Sequence, residues 1–280
     1  MPLISVIIPT YNRARFVSLA IQSVLEQTFE DLELIVIDDG STDETKDVVN
    51  RIRDKRLQYH YQFNRGPASA RNNGLKQVSG SYIAFLDSDD KWVPEKLEIQ
   101  LHTMKKNNDY LLSHTEETWY KGRRLIKPKK IHRKGWGDLF KQSLKLCSIS
   151  MSTVILKREL IDTVGLFDEA LEVCEDYDYW LRVTPVYAVL LIRDALTIKQ
   201  GGHYDQQSQK YKGLDKYRIY ALEKMINSHV LKEEQLQLAL EELGKKCRIY
   251  GKGCIKYDKE EEGEFYLGLP EKYRDLIKDR

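Results

Sequence analysis

Four short apolar runs, each ending in a polar cluster and followed by a helix-like segment, constrain the fold of this chain most. Leu3 to Ile8 is a nearly continuous β-branched run, the pattern of a strand buried on both faces of a parallel sheet. It stops at Pro9-Thr10-Tyr11-Asn12-Arg13. Phe16, Leu19, Ala20 and Val24 then recur at three- and four-residue spacing, which predicts an amphipathic helix covering that sheet. Leu32 to Ile37 repeats the buried run and ends at Asp38-Asp39-Gly40-Ser41-Thr42, where Ser41 and Glu44 have capping-box spacing and predict an immediate helix start. Tyr59 to Phe63 is a weaker strand. Asn64-Arg65-Gly66-Pro67 follows, then a helix from Ala68 to Gln77 whose pattern Gly74 interrupts. Tyr82 to Leu86 is the fourth run. Such alternation predicts a parallel α/β sheet whose ligands lie beyond the carboxyl ends of the strands. Every acidic or Asn/Arg cluster in this half falls at such an end.

The fourth run stops in three carboxylates within four residues, Asp87, Asp89 and Asp90. A core strand does not need that ending. In extended geometry Asp87 and Asp89 would sit roughly 6.5 Å apart on one face. That leaves room for a hard divalent cation, Mg²⁺ or Mn²⁺, which completes its shell with substrate phosphates. The bland alternative is a solvated acidic turn capping the next helix, with Pro94 in its first turn.

Composition narrows the field only coarsely. A 280-residue chain with 41% apolar residues can bury a real core, and charged residues, at 31%, nearly cancel to +2. Nothing global therefore points to nucleic acid, and none is expected as a partner. The N-terminus lacks a basic region followed by a long apolar run, and no stretch approaches the ~20 apolar residues of a membrane span. A soluble, cytoplasmic protein is expected, with peripheral contact at the inner face of a membrane left open. Cys147, Cys174, Cys247 and Cys254 show no C-x-x-C pairing, which predicts reduced thiols.

In the second half, Glu95 to Met104 reads as a helix and Tyr110 to His114 as a strand. Lys121 to Lys134 then packs eight Lys or Arg into fourteen residues. It reads as a solvated, mobile loop or as a lid or acceptor loop that attracts phosphate or anionic lipid headgroups. Ser150 to Leu156 has strand character and Arg158 to Val164 helical character. Gly165-Leu166-Phe167-Asp168-Glu169 precedes Cys174-Glu175-Asp176-Tyr177-Asp178-Tyr179-Trp180-Leu181-Arg182, whose apolar spacing is helical. Glu175 and Asp176 then fall in the first turn, where the helix dipole favours their charge. On the residues alone, an N-terminal acidic cap explains them equally well. Val186 to Ile192 is a further strand, and Thr197 leads through Gly201-Gly202 to His203; a lone His is more often structural. From Lys216 onward the chain is helical and highly charged. Its apolar stripes suit packing onto the preceding domain or a helical hairpin, with homodimerisation and membrane contact as alternatives.

Taken together, the clusters Pro9 to Arg13, Asp38-Asp39-Gly40-Ser41, Arg71-Asn72 and Asp87-Ser88-Asp89-Asp90 resemble, in order and spacing, the N-terminal half of family 2 glycosyltransferases. The Gly-x-Phe-Asp-Glu and Glu-Asp-Tyr-Asp-x-Trp-x-Arg segments resemble the second half of the same family. The resemblance implies an α/β GT-A fold, a Rossmann-like mixed, mainly parallel sheet flanked by helices. A nucleotide-sugar-binding and catalytic domain would span 1–207, and a helical C-terminal extension 208–280. It also implies inverting transfer of one sugar from a nucleoside diphosphate sugar, most commonly UDP-linked, to a hydroxyl of a glycan or lipid-linked acceptor in surface polysaccharide or lipid-linked glycan synthesis. The Gln-x-x-Arg-Trp signature of processive members is missing.

On that resemblance Pro9, Thr10, Tyr11, Asn12 and Arg13 line the base pocket, and Asp39 accepts from the base. Arg71 helps hold the diphosphate. Asp87, with Ser88 beside it, takes the ribose hydroxyls, and Asp89 binds Mn²⁺ or Mg²⁺. Asp176 is the general base next to Glu175, and His203 stands near the diphosphate or metal. Two rivals remain. A nucleotidyltransferase would carry a Gly-rich, Arg/Lys-bearing loop after the first strand, which Pro9 to Arg13 is not. A non-catalytic nucleotide-sugar-binding scaffold would differ only in turnover.

Overall fold

The β-branched runs form the strands they predict. The computed structural model describes residues 1–202 and 211–273. Its first half runs β1 (Ile4–Thr10), α1 (Val17–Leu25), β2 (Leu32–Asp39), α2 (Thr45–Asn50), β3 (Leu57–Gln62), α3 (Gly66–Gln77) and β4 (Tyr82–Phe85). β1 pairs with β2 and β4, and β2 with β3, all in parallel, with Ile4 opposite both Leu32 and Tyr82. α3 lies so close to β1 that a Cβ on Gly74 would come 2.5 Å from Ile7 Cγ2. The glycine that interrupts the helical pattern is thus what lets helix and sheet touch.

The second half reverses part of the sheet. It comprises β5 (Lys91–Trp92), α4 (Lys96–Lys106), β6 (Leu112–Lys121), β7 (Arg124–Ile126), α5 (Phe140–Lys145), β8 (Ile155–Lys157), α6 (Arg158–Val164), α7 (Glu175–Val183) and β9 (Leu190–Gly201). β8 is antiparallel to both β4 and β6, β6 runs parallel to β9, and β5 pairs antiparallel with β9. The order is β3-β2-β1-β4-β8-β6-β9-β5, with β7 hanging on β6. α8 (Asp215–Ile226), α9 (Glu233–Lys256) and α10 (Glu260–Gly268) follow. Their apolar stripes pack onto the preceding fold: Ile219, Leu222, Met225 and Leu243 share one core with Phe140, Tyr177 and Leu181. Lys224 closes that seam with ion pairs to Asp168 at 2.6 Å and Asp178 at 3.0 Å.

Several local expectations are corrected. α2 begins at Thr45, not at Ser41, and Glu44 makes no side-chain cap. Ser41 instead accepts a hydrogen bond from the Asn12 N–H, so the capping-box spacing serves a loop-to-loop contact. Ser150 to Leu156 is not one strand: Met151–Thr153 is a 3₁₀ turn in which the Thr153 hydroxyl bonds back to the Ser150 carbonyl, and β8 starts at Ile155. The strand expected from Val186 starts only at Leu190 and continues through Gly201. The basic run is not simply a loop, because β6 extends into it and β7 turns back along β6.

Behind the acidic turn lies a buried polar layer. Lys96 is fully buried; its Nζ donates to Gln100 Oε1 at 2.8 Å and lies 4.2 Å from the centre of the Trp92 ring. Burial, with Lys134 adding to it, pushes this amine well below the ordinary lysine range. A lysine depressed in the folded state leaves the unfolded chain holding more protons, so its contribution to stability rises with pH. Lys96→Met should therefore raise the unfolding free energy at neutral pH by about 1–3 kcal/mol, read as a higher urea midpoint, with the gain shrinking as pH approaches about 10. A lowered midpoint at neutral pH would refute this.

Candidate active site

The loops after β1 and β2 are stitched into one wall. The Asn12 N–H donates to Ser41 Oγ at 2.9 Å, the Thr42 N–H to Asn12 Oδ1 at 2.8 Å, and the Arg13 N–H to Thr45 Oγ1 at 2.9 Å. Asn12 has φ 51° and Cys174, across the cleft, φ 66°. Such non-glycine residues in the left-handed region persist where surrounding contacts fix them, often at functional sites. Asp39 accepts from Gln62 Nε2 at 2.7 Å, the Arg65 N–H at 2.9 Å, the Gly66 N–H at 2.8 Å and Asn64 Nδ2 at 3.2 Å. Burial raises its carboxyl above the usual range, against these bonds. Asp39 thus also holds the turn entering α3, where Gly66, at φ 87°, turns its N–H toward the carboxylate.

Arg71 on α3 joins the two halves of the site. It is buried between Glu175, through Nη1, and Asp87, whose Oδ1 lies 3.0 Å from Nη2. Burial works against its charge, and Glu175, Asp87 and Asp176 outweigh burial and hold it charged. The guanidinium expected to hold diphosphate is therefore engaged between two carboxylates. Burial pushes the Glu175 carboxyl up, to about 7; Arg71 opposes that shift and Asp176 reinforces it. The next residue on α3, Asn72, fixes the Gly-x-Phe-Asp-Glu segment by donating to the Phe167 carbonyl at 2.9 Å and accepting the Phe167 N–H at 2.9 Å.

Of the two geometries open for the acidic cluster, the structure has the turn and not the extended end. The Asp90 N–H bonds the Asp87 carbonyl at 3.0 Å, so the alternation expected for Asp87 and Asp89 does not hold. Asp90 points inward, accepting from Ser152 Oγ at 2.7 Å and from the Gln200 N–H at 3.2 Å, with Lys199 Nζ at 3.6 Å. Burial pushes it up to about 7, with Lys199 opposing. Burial, then Asp87, also raises the Asp89 carboxyl, against Arg13 and Lys199. Lys199 stays charged because Asp90, Glu117 and Asp87 outweigh its burial.

Opposite this turn, Asp176 stands at the start of α7. Its Oδ1 accepts the N–H of its neighbour Tyr177 at 2.7 Å, and its Oδ2 accepts from Cys147 Sγ at 3.1 Å. Burial and Asp176 together push the Cys147 thiol well above its ordinary range, so it is a donor here and not a nucleophile.

One cleft of about 1660 Å³ gathers all twelve predicted site residues within the described chain: Pro9, Thr10, Tyr11, Asn12, Arg13, Asp39, Arg71, Asp87, Ser88, Asp89, Glu175 and Asp176. His203 lies outside the described residues. The cleft exceeds the roughly 300–1,000 Å³ of an ordinary small-molecule pocket, leaving space for two substrates. Among the described residues the buried Thr10 Oγ1 has no hydrogen-bond partner, which suits a ligand at that wall. Sequence reading missed Lys199, Cys147, Tyr211, Leu214 and Arg218, which also line the cleft. Lys199 sits on the predicted Thr197 to His203 stretch, but nothing in its neighbours marks its direction. Tyr211 and Leu214 lie just before α8 and Arg218 on it, so the chain beyond β9 supplies part of the cleft wall.

The sheet order, with an acidic turn at the carboxyl end of β4, defines a GT-A fold. The model described as glycosyl transferase family 2 matches residues 5–162, and the chain belongs to that family. An uncharacterized glycosyltransferase of Rickettsia felis is 41% identical over 184 residues, 64% of this chain; the chain spans only 30% of that relative's length. WfgD of Escherichia coli, a UDP-Glc:alpha-D-GlcNAc-diphosphoundecaprenol beta-1,3-glucosyltransferase, is 37% identical over 185 residues, 65% of this chain and 69% of that one. Staphylococcus aureus TarS 1-349 in complex with UDP-GlcNAc superposes with a TM-score of 0.73 at 20% identity, covering 99% of this chain and 93% of that one. The mannosyltransferase PcManGT of Pyrobaculum calidifontis, in complex with GDP-Man and Mn²⁺, gives 0.64 at 16% identity, covering 100% and 88%. The likeness to these two structures is one of fold.

Proposed function

We propose that the protein transfers a single sugar, with inversion, from a UDP-sugar to a hydroxyl of a lipid-linked glycan, in surface polysaccharide or lipid-linked glycan assembly at the cytoplasmic face of a membrane. The observation that carries this reading is the Arg71 bridge, which sets the turn bearing Asp87 and Asp89 against the helix bearing Glu175 and Asp176 across one cleft. The name of the E. coli relative, with its UDP-Glc donor and diphosphoundecaprenol-linked acceptor, supports the choice of substrates. Among the described residues no helix is long and apolar enough to cross a membrane.

Asp87 and Asp89 fit a divalent cation in a limited way. Among the described residues no group of three His, Cys, Asp or Glu side chains could hold an ion unaided. Burial, and then Asp87, disfavour the charged form of Asp89, a cost that a bound cation would offset, and Mg²⁺ or Mn²⁺ commonly rests on one or two carboxylates plus substrate phosphates. When bound, the ion offsets charge on the leaving diphosphate. Lys199 and Arg13 add fixed positive charge beside Asp89. Asp176 takes the acceptor hydroxyl proton as its oxygen bonds the anomeric carbon, while the bond to the diphosphate breaks and UDP departs. Asp87 and the wall from Pro9 to Arg13 orient the nucleoside.

Release of UDP from UDP-sugars in the presence of a synthetic GlcNAc-diphospho-lipid and Mn²⁺ tests the proposal. Turnover should require the acceptor, and chelation should suppress it. Asp89→Ala should weaken metal-dependent UDP binding, measured by calorimetry, by at least about tenfold, since even outer partners of metal ligands cost that much. Nucleotide binding without UDP release would make the chain a scaffold.

A further inference from the structure

We infer that residues 123–136 form a docking surface for an anionic lipid bilayer. Arg123, Arg124, Lys127, Lys129, Lys130 and Arg133 are all exposed there, and no acidic residue occurs from Lys121 to Gly137. Among the described residues, the ion pair of this stretch belongs to Lys134 at its end. Three large apolar side chains are exposed among the cations: Leu125 at 62%, Ile131 at 57% and Trp136 at 66%.

A basic run that only solvates itself has no need of fixed ends, yet this one is anchored at both. β7 pairs with β6, Trp119 opposite Ile126 and Lys121 opposite Arg124. The Trp119 ring meets the His132 ring with centroids 5.3 Å apart. At the far end the buried Lys134 ammonium lies 3.3 Å from Glu117 Oε2 and donates to Thr153 Oγ1 at 3.1 Å, while Gln142 Nε2 donates to the Arg133 carbonyl at 2.8 Å. The segment also starts at the lip of the cleft. Lys121 pairs with Gly201, and the next residue, Gly202, lines the cleft so close to Lys121 that a Cβ there would lie 2.6 Å from its Cγ.

Cations interspersed with exposed apolar side chains match an anionic bilayer, which attracts the former at its surface and takes up the latter at its headgroup boundary. Nucleic acid would use the cations but give Leu125 and Ile131 no apolar environment. The surface would hold the cleft beside a lipid-linked acceptor. It rests on the proposed acceptor for its purpose only, because vesicle binding is measured without substrate.

Sedimentation with vesicles tests it. The wild type should partition onto phosphatidylcholine vesicles containing one third phosphatidylglycerol and not onto pure phosphatidylcholine. The triple variant Arg124→Ser, Lys129→Ser, Lys130→Ser should lose on the order of 100-fold in partitioning, at about one unit of surface attraction per cation. Leu125→Ser with Ile131→Ser should weaken partitioning onto the anionic vesicles at low salt, and high salt, which screens charge, should weaken it for the wild type as well. Unchanged circular dichroism and thermal midpoints would show that the variants fold. Equal binding to both vesicle types, wild-type partitioning by the triple variant, or binding to a single-stranded RNA oligonucleotide in place of vesicles would overturn the inference. Failure of sugar transfer with vesicle binding intact would count against the proposed acceptor alone.

Discussion

Asp176→Asn should lower the rate of sugar transfer by roughly 10²–10⁴-fold while leaving UDP binding nearly unchanged. The substitution keeps the side-chain shape and one acceptor oxygen at the start of α7, enough for the Tyr177 N–H, and gives up the weak bond that Asp176 accepts from Cys147 Sγ. It removes the ability to accept a proton. The proposed nucleotide wall, Pro9 to Arg13 with Asp87 to Asp89, lies on other elements, so donor affinity has no reason to move. Steady-state kinetics at saturating donor and acceptor, with calorimetry of UDP, separate the two effects. A loss confined to kcat is expected. If Asp176→Asn turns over at the wild-type rate, the base lies elsewhere; Glu175, already engaged with Arg71, is then the nearest carboxylate to test.

How much of this site could be read from the sequence depended on the range over which each residue finds its partners. β1 and β2 were legible because a continuous β-branched run has few other uses than a doubly covered strand, and the turns after them were legible as clusters at strand ends. Resemblance to the family supplied the roles. What stayed hidden was the direction of individual side chains. Arg71 bonds Glu175, 104 residues away, and Cys147 meets Asp176 across 29 residues, so no local spacing announces either contact. Of the two readings open for the acidic cluster, strand periodicity favours an extended end, whereas the Asp90 N–H folds back onto the Asp87 carbonyl and makes it the turn. The basic segment misled by composition: seven of its cations are exposed, but Lys134 is buried against Glu117 and fixes the whole stretch to the sheet. The C-terminal stripes were legible as packing surfaces, yet nothing in them marked Arg218 for the cleft wall.

Arg71→Met should destabilise the fold by about 3–5 kcal/mol near neutral pH, the usual consequence of removing one partner from a buried ionic cluster. Both Glu175 and Asp87 lose the cation they share, and among the described residues neither has another ion-pair partner at contact distance. The pH dependence identifies the cause. Burial already pushes the Glu175 carboxyl up to about 7 with Arg71 present, and without Arg71 it rises further. A carboxyl raised above its unfolded value of about 4.3 leaves the native state holding the extra proton. Stability linked to it is fully present below the unfolded value and is lost as pH rises through the folded one. The variant's deficit should therefore shrink as pH falls from about 7.5 toward about 5, in urea titrations followed by circular dichroism. Adding Glu175→Gln should recover part of the deficit near neutral pH, because the uncompensated charge is gone. A deficit independent of pH would assign Arg71 a packing role through its contact with the Phe167 ring, 5.8 Å from the guanidinium carbon. The double variant also separates stability from function. If Arg71 serves the reaction by holding the Asp87 turn against the helix that carries Asp176, transfer should stay low even where the fold is restored, since a thioether and an amide at these two positions cannot rebuild that bridge.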